Sequence, residues 1–210
     1  PARTRANLRE THHLQGGHPV AGDQPQLTSL SEYDSDRGTC CGFNFATKGT
    51  DARGNLTEHE YDDRGNRTRT VYPIDGIEES FEYNLSGQMI AHVLPDNGSG
   101  HKRRDEYVYY DSGPQKGYLQ KQIVDVGGFN LTTTYEYDAV GNIVKVTDPR
   151  GHDTQYAVNA LNQIVRETSR EVEVLDNAGQ PIGLVRYERD TFYDGNDNVV
   201  RMDVQNLDDA

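Results

Sequence analysis

The chemistry most available to this chain is that of carboxylates. Its 210 residues include 34 aspartates and glutamates, and two such groups in unlike environments can divide general acid and general base work. The most regularly placed aspartates, Asp62, Asp111, Asp138 and Asp194, stand instead where turns begin. There a carboxylate accepts a hydrogen bond from the backbone two residues on, which is a structural task. Asp194-Gly195-Asn196-Asp197-Asn198 is rich in oxygen ligands, but it lacks the glycine at position six and the distal bidentate glutamate of a calcium loop. His12, His13 and His18 do not have the spacing of a helical or hairpin metal site. Cys40 and Cys41, the only cysteines, are adjacent; sequence neighbours bridge each other only with strain, so they read as free thiols. Gly98-Ser99-Gly100 is not a nucleophile elbow, and His-Glu-x-x-His, Cys-x-x-Cys and Gly-x-Ser-x-Gly are all missing. No catalytic residue, cofactor or metal ligand is therefore expected, and a hydrolase lacks any motif to support it.

The element that sets such turns in place is written most fully between Tyr135 and Gly151. Thr133, Tyr135 and Tyr137 alternate with Thr134, Glu136 and Asp138, the period of a half-buried strand rich in aromatic and β-branched residues. Asp138-Ala139-Val140-Gly141 supplies a turn, followed by Asn142. A type I turn closed by a left-handed glycine predicts a hairpin with a bulge, and positive φ at Gly65, Gly87 and Gly141. On the return, Val144 and Val146 alternate with Ile143, Lys145 and Thr147, and Asp148-Pro149-Arg150-Gly151 ends the strand, because proline cannot donate to a continuing ladder.

The unit recurs. Tyr61-Asp62-Asp63-Arg64-Gly65-Asn66 opens a second copy and Tyr83-Asn84-Leu85-Ser86-Gly87-Gln88 a third. Looser copies start at Tyr110-Asp111, Tyr156-Ala157 and Tyr193-Asp194, and Tyr33-Asp34 marks a degenerate first one. Glu171 to Val185 reads as a further hairpin turning at Asp176-Asn177-Ala178-Gly179. Self-similarity at a period of roughly 20 residues signals a repeat architecture whose units need their neighbours.

Tyr-x-Tyr-Asp-x-x-Gly-Asn, followed after the outgoing strand by Pro-x-Gly, resembles the tyrosine-aspartate (YD) repeat of the rearrangement-hotspot family. Relatives include bacterial polymorphic toxins, C components of insecticidal toxin complexes, wall-associated proteins and teneurins. In that family the repeats form a long β-sheet strip that spirals into a hollow shell, often around a toxic C-terminal domain. The resemblance implies an all-β fold of antiparallel hairpins in one continuous curved strip. It divides the chain into an irregular connector (1–28), the repeat strip (29–206) and an acidic tail (207–210). Asp148-Pro149-Arg150-Gly151 matches the first four residues of the Asp-Pro-x-Gly-Leu stretch that precedes self-cleavage in some members. His152 stands where leucine would be and repeats follow it, so it reads as a repeat turn.

Composition fits such a strip. Only 33% of residues are hydrophobic, mean hydropathy is −0.86 and tryptophan is absent, while 13 tyrosines fall in strand register. A sheet with two largely solvated faces reconciles this polarity with order, since cross-strand pairs replace a conventional core. The net charge of −13 repels phosphate backbones and argues against nucleic-acid binding. His101-Lys102-Arg103-Arg104 reads as a solvated basic loop within the insertion at Asp96–Glu106. No apolar run approaches a membrane span.

The expected function is that of a non-catalytic wall segment, shielding or presenting a toxin or other effector encoded elsewhere. Its partners would be the remaining wall and the enclosed cargo, and family resemblance implies secretion or cell-surface display. A glycan- or receptor-binding adhesion module is the alternative, because tyrosines among polar residues suit sugar faces as well as cross-strand packing.

Overall fold

A computed structural model describes residues 10–13, 27–33 and 45–205. All of their regular structure is β-strand, as the alternation and turn chemistry require. The chain divides into two compact units, Pro1–Arg104 and Asp105–Ala210.

In the first unit β1 (Glu10–His13), β2 (Leu27–Tyr33), β3 (Ala46–Thr50), β4 (Leu56–Tyr61), β5 (Arg67–Val71), β6 (Glu78–Tyr83) and β7 (Met89–Asp96) follow in order. Each is antiparallel to the next, giving an open sheet. Strand β1 and the first residues of β2 fall within the stretch 1–28 expected to be irregular, so part of that stretch joins the ladder. Strand β8 (Lys102–Tyr109) contains the unit boundary.

In the second unit β8 pairs with β9 (Leu119–Val124), and the order continues through β10 (Leu131–Tyr137), β11 (Ile143–Thr147), β12 (Asp153–Val158) and β13 (Ile164–Thr168). The hairpin of β14 (Val172–Leu175) and β15 (Pro181–Val185) then leaves the ladder as its own two-stranded sheet. Strand β13 pairs directly with β16 (Glu188–Tyr193), which pairs with β17 (Val199–Val204). The expectation that every consecutive hairpin joins one strip fails here. The excursion is tied at its root, where Ser169 N–H donates to the Tyr187 carbonyl and Tyr187 N–H to Ser169 Oγ, both at 2.8 Å.

A second feature departs from simple alternation. Hairpins whose last residue before the turn is Tyr61, Tyr83, Tyr109, Tyr137, Val158 or Tyr193 shift register there, so one outgoing residue lacks an opposite number, whereas those closed at Asp51 and Asp148 do not. Thr68, Ile90, Gln120, Val144, Val165 and Val200 are such residues in the main ladders. Ile143 therefore faces Tyr137 and Val146 faces Tyr135, and the uninterrupted alternation expected for 143–147 is broken at Val144. A bulge of this kind adds right-handed twist and re-aims the side chains beyond it.

Little is buried. Among the described residues Ala91 is the buried apolar side chain, and Thr70 and Asp105 are the buried polar ones. That leaves no apolar interior of the kind a two-sheet sandwich needs. In each unit taken by itself, one face of the sheet carries the strand tyrosines. The other carries cross-strand charge pairs: Lys48–Glu58 at 3.1 Å, Arg69–Glu60 at 2.8 Å, Lys102–Glu78 at 2.9 Å and Arg104–Glu82 at 2.6 Å in the first unit, and Lys145–Glu136 at 3.0 Å in the second. The basic run expected to be a solvated loop thus begins β8, and two of its cations face strand glutamates. Hydrogen bonds and charge from Lys102 and Arg69 hold the Glu78 carboxyl down to about 2.

Candidate functional site

The repeated chemical unit is the junction between one hairpin and the next. It is built first from the turn. At Asp62 the backbone N–H donates to the Asn66 carbonyl at 2.9 Å, and Gly65 N–H donates to the Asp62 carbonyl at 3.1 Å. Asp62 Oδ1 accepts from Arg64 N–H and Asn66 N–H, both at 2.9 Å, while Asn66 Nδ2 donates to Oδ2 at 2.8 Å. Asp138 repeats the arrangement with Val140 and Asn142, and Asp194 with Asn196 and Asn198. The same geometry closes the opposite ends of hairpins at Asp51–Asn55 and Asp148–His152, the latter with Pro149 inside the turn and Gly151 at its left-handed position.

Where asparagine replaces aspartate, the pairing reverses. Asn84 Nδ2 donates to Gln88 Oε1 at 3.0 Å and Asn159 Nδ2 to Gln163 Oε1 at 2.8 Å, while each asparagine Oδ1 still accepts the two backbone N–H groups. A carboxylate cannot donate, so it is met by the Asn amide; an amide that donates is met by the longer Gln acceptor. Asn142 donation, with backbone N–H groups, holds Asp138 below the ordinary carboxylate range; Asn55 does the same for Asp51.

The second component is the tyrosine before the turn. Its hydroxyl donates to the first carbonyl of the preceding hairpin's outgoing strand: Tyr61 to Ala46 at 2.9 Å, Tyr83 to Arg67 at 3.0 Å, Tyr137 to Leu119 at 2.9 Å and Tyr193 to Ile164 at 2.9 Å. The accepting residue is always the one opposite the previous hairpin's pre-turn residue. That carbonyl lies beside the bulge, so the hydroxyl pins adjacent hairpins at the point where the ladder is interrupted.

The third component is glycine. Gly65, Gly87 and Gly141 have φ of +88°, +79° and +100°, as their turn positions require. At Gly141 a Cβ would lie 2.5 Å from Tyr118 Oη, and at Gly65 it would lie 2.3 Å from Phe45 Cζ. Glycine therefore also makes room for an aromatic ring of the preceding hairpin, with Phe45 stacked on Tyr61 at 5.0 Å and Tyr118 against Tyr137 at 5.1 Å.

Three expected markers shift. The backbone of Tyr110, not Asp111, takes the place of Asp62, because Tyr110 N–H donates to the Tyr118 carbonyl at 3.0 Å across a widened turn. The pre-turn residue there is Tyr109, opposite Leu119. Asp111 accepts the Ser112 hydroxyl at 2.8 Å, and Tyr110 Oη reaches forward to the Tyr135 carbonyl at 2.9 Å. In the following copy the pre-turn position is Val158, opposite Ile164, and Tyr156 sits two residues earlier, at the level of Tyr135. Val158 has no hydroxyl; the turns are joined instead by Asn142 Nδ2 donating to Asn162 Oδ1 at 3.0 Å. Counting back from the turn, rather than searching for tyrosine, would have found Val158; the widened turn opening at Tyr110 gives no such signal for Tyr109. No local signal marked Phe45 and Tyr118 as the rings over the glycines.

The oxygen-rich stretch at Asp194 is one of these turns, with Asp197 at φ +65° in the glycine position. Among the described residues no His, Cys, Asp and Glu group could hold a metal. Cys40, Cys41 and His18, the side chains of His12 and His13, and the tail at 207–210 lie outside the described residues. No described helix is long and apolar enough to cross a membrane. A cleft of about 400 Å³ opens over the bulged Gln120 and one of about 390 Å³ over Val165; their walls are junction residues and gather no nucleophile–base pair.

An open ladder of antiparallel hairpins, joined by hydroxyl pins and Asp-x-x-Gly turns, defines a repeat-sheet protein. Residues 122–153 match the family model described as RHS Repeat. No curated protein matches the chain. Solved structures do. The chain resembles one in the crystal structure of TcdB2-TccC3-Cdc42, with TM-score 0.63, 20% identity, and coverage of 87% of this chain and 9% of that one. It resembles one in a Tc holotoxin pore of Photorhabdus luminescens, with TM-score 0.62, 17% identity, and coverage of 93% and 10%. At such identity the likeness is one of fold, and the chain spans about a tenth of those chains. Repeat motif, the RHS Repeat match over residues 122–153 and the fold agree: the chain carries RHS-repeat sequence and resembles the YD/RHS-repeat family.

Proposed function

We propose that this chain is a non-catalytic wall segment of a YD-repeat shell that encloses or presents a toxin or other effector encoded elsewhere in the parent protein. The observation that carries the reading is the junction itself. Its tyrosines, aspartates and glycines are occupied in joining each hairpin to the next, so the repeated chemistry serves extension of a sheet. The remaining wall is then the chief partner, with the cargo a second, and the parent is secreted or displayed at the cell surface. The adhesion alternative gains no free hydroxyl from Tyr61, Tyr83, Tyr110, Tyr137 and Tyr193, because these are committed to backbone carbonyls.

Electron cryomicroscopy of the intact parent protein tests the proposal. The expected result is continuous β-wall at these residues, bounding a cavity that holds density for a cargo. A freestanding arrangement that bounds no cavity would overturn it.

A further inference from the structure

We infer that the outer edge of β17 is a docking edge for one kind of partner, a further Tyr-Asp-x-x-Gly-Asn hairpin of the wall, whose tyrosine hydroxyl donates to the Val199 carbonyl. The inference rests on the wall reading and adds the chemistry by which the next hairpin is recognised.

Four junctions show the rule. Ala46, Arg67, Leu119 and Ile164 each begin an outgoing strand, and each carbonyl accepts a tyrosine hydroxyl from the next hairpin at 2.9–3.0 Å. Val199 holds the same place: it begins β17 and lies opposite the pre-turn Tyr193. Asp194 N–H donates to the Asn198 carbonyl at 2.9 Å to close the turn. The adjacent Tyr193–Val199 pair is then of the wide, non-bonded type, so Val199 turns its own N–H and C=O outward. Among the described residues β17 has one ladder neighbour, β16.

Its side chains match the opening. Val199 is 52% exposed, Met202 61% and Val204 65%. They lie opposite Tyr193, Thr191 and Arg189, which puts them on the tyrosine face, where an incoming ring would pack. A second copy adding through β1 does not meet the requirement, because β1 reads Glu-Thr-His-His and brings no tyrosine.

The test is a titration of the isotopically labelled chain with a synthetic peptide of residues 131–147, the sequence of β10, its turn and β11. Added terminal cysteines joined by a disulfide keep the peptide in hairpin form. Binding should shift the amide signals of β17 and slow their hydrogen exchange. Tyr137→Phe in the peptide should weaken binding about three- to ten-fold, the net contribution of one hydrogen bond. Tyr135→Phe, the same chemical change two residues earlier, should leave it unchanged. A lack of perturbation of β17 at millimolar peptide overturns the docking edge. Equal affinity for the Tyr137→Phe peptide overturns the hydroxyl rule. Self-association of the chain through β17 that the peptide fails to compete assigns the edge to a second copy, and also overturns the inference. None of these outcomes decides whether the parent forms a closed wall, which is read from the parent itself.

Discussion

A tyrosine hydroxyl and a glycine hydrogen carry much of the specificity at each junction. Removing the hydroxyl at Tyr137 leaves the Leu119 carbonyl without its donor, so Tyr137→Phe should destabilise the chain by about 1 kcal/mol in urea denaturation. Tyr135→Phe serves as the control, and equal effects of the two would discount the pin. Glycine can be dissected by comparing two sites that share a left-handed backbone. Gly151, at φ +83°, has open space where a methyl would sit, whereas Gly141, at φ +100°, meets Tyr118. Gly151→Ala should cost about 1 kcal/mol from backbone conformation. Gly141→Ala should cost more, and similar losses would mean that Tyr118 simply moves aside. The turn carboxylates set the acid behaviour. Asp51 and Asp138 have folded-state values below the ordinary one because Asn55 and Asn142 donate to them. A depressed folded value gives stability that is present above the unfolded pKa, about 3.9, and lost as pH falls through the folded value. The urea midpoint should therefore hold from pH 7 to about 4 and fall below it. Asp138→Asn with Asn142→Gln, copying the Asn84–Gln88 turn, should reduce that fall; an unchanged acid limb would remove the turns from its cause.

At the scale of elements, the β14–β15 hairpin is the one piece that the ladder does without. Strand β13 pairs directly with β16 through Arg166↔Asp190, Glu167↔Arg189 and Thr168↔Glu188. The arm is held at its base by Arg186, which donates to the Asp153 carboxylate at 2.5 Å and the Ser169 carbonyl at 3.1 Å. Hydrogen bonds from Arg186 and Gln155 hold Asp153 down to about 2. An isolated two-stranded hairpin is marginal in water. Arg186→Ala should therefore speed amide exchange in β14 and β15 while β12, β13 and β16 keep their protection. Equal loosening of β13 and β16 would show instead that the arm supports the ladder.

For the whole molecule, charge decides one behaviour directly. At −13 net the chain should not retain duplex DNA at physiological salt, because phosphate contacts need a concentration of cations. Several of its arginines and lysines already face carboxylates on the charged face: Lys48, Arg69, Lys102, Arg104, Lys145 and Arg166. Micromolar, salt-sensitive retention in a gel shift would contradict this. The features legible in the residues alone were local. Alternating tyrosines and threonines dictated strands, and Asp-x-x-Gly dictated where they turn and which glycines are left-handed, because those preferences act within a few residues. The hairpin at Glu171 to Val185 was legible for the same reason, as was the repeat. Register and partnership emerged only from the assembled sheet. A bulge at one end of the motif-bearing hairpins moves later side chains to a different opposite number, and alternation cannot reveal it. Hence Tyr109 and Val158 hold the places read as Tyr110 and Tyr156, and Gly141 answers to a ring at Tyr118, a distant residue in sequence. That the β14–β15 hairpin leaves the ladder was likewise invisible, since its strands alternate like the others. Its departure depends on which edge β16 finds and on an arginine that holds the root, both of which exist only once the neighbouring strands are in place.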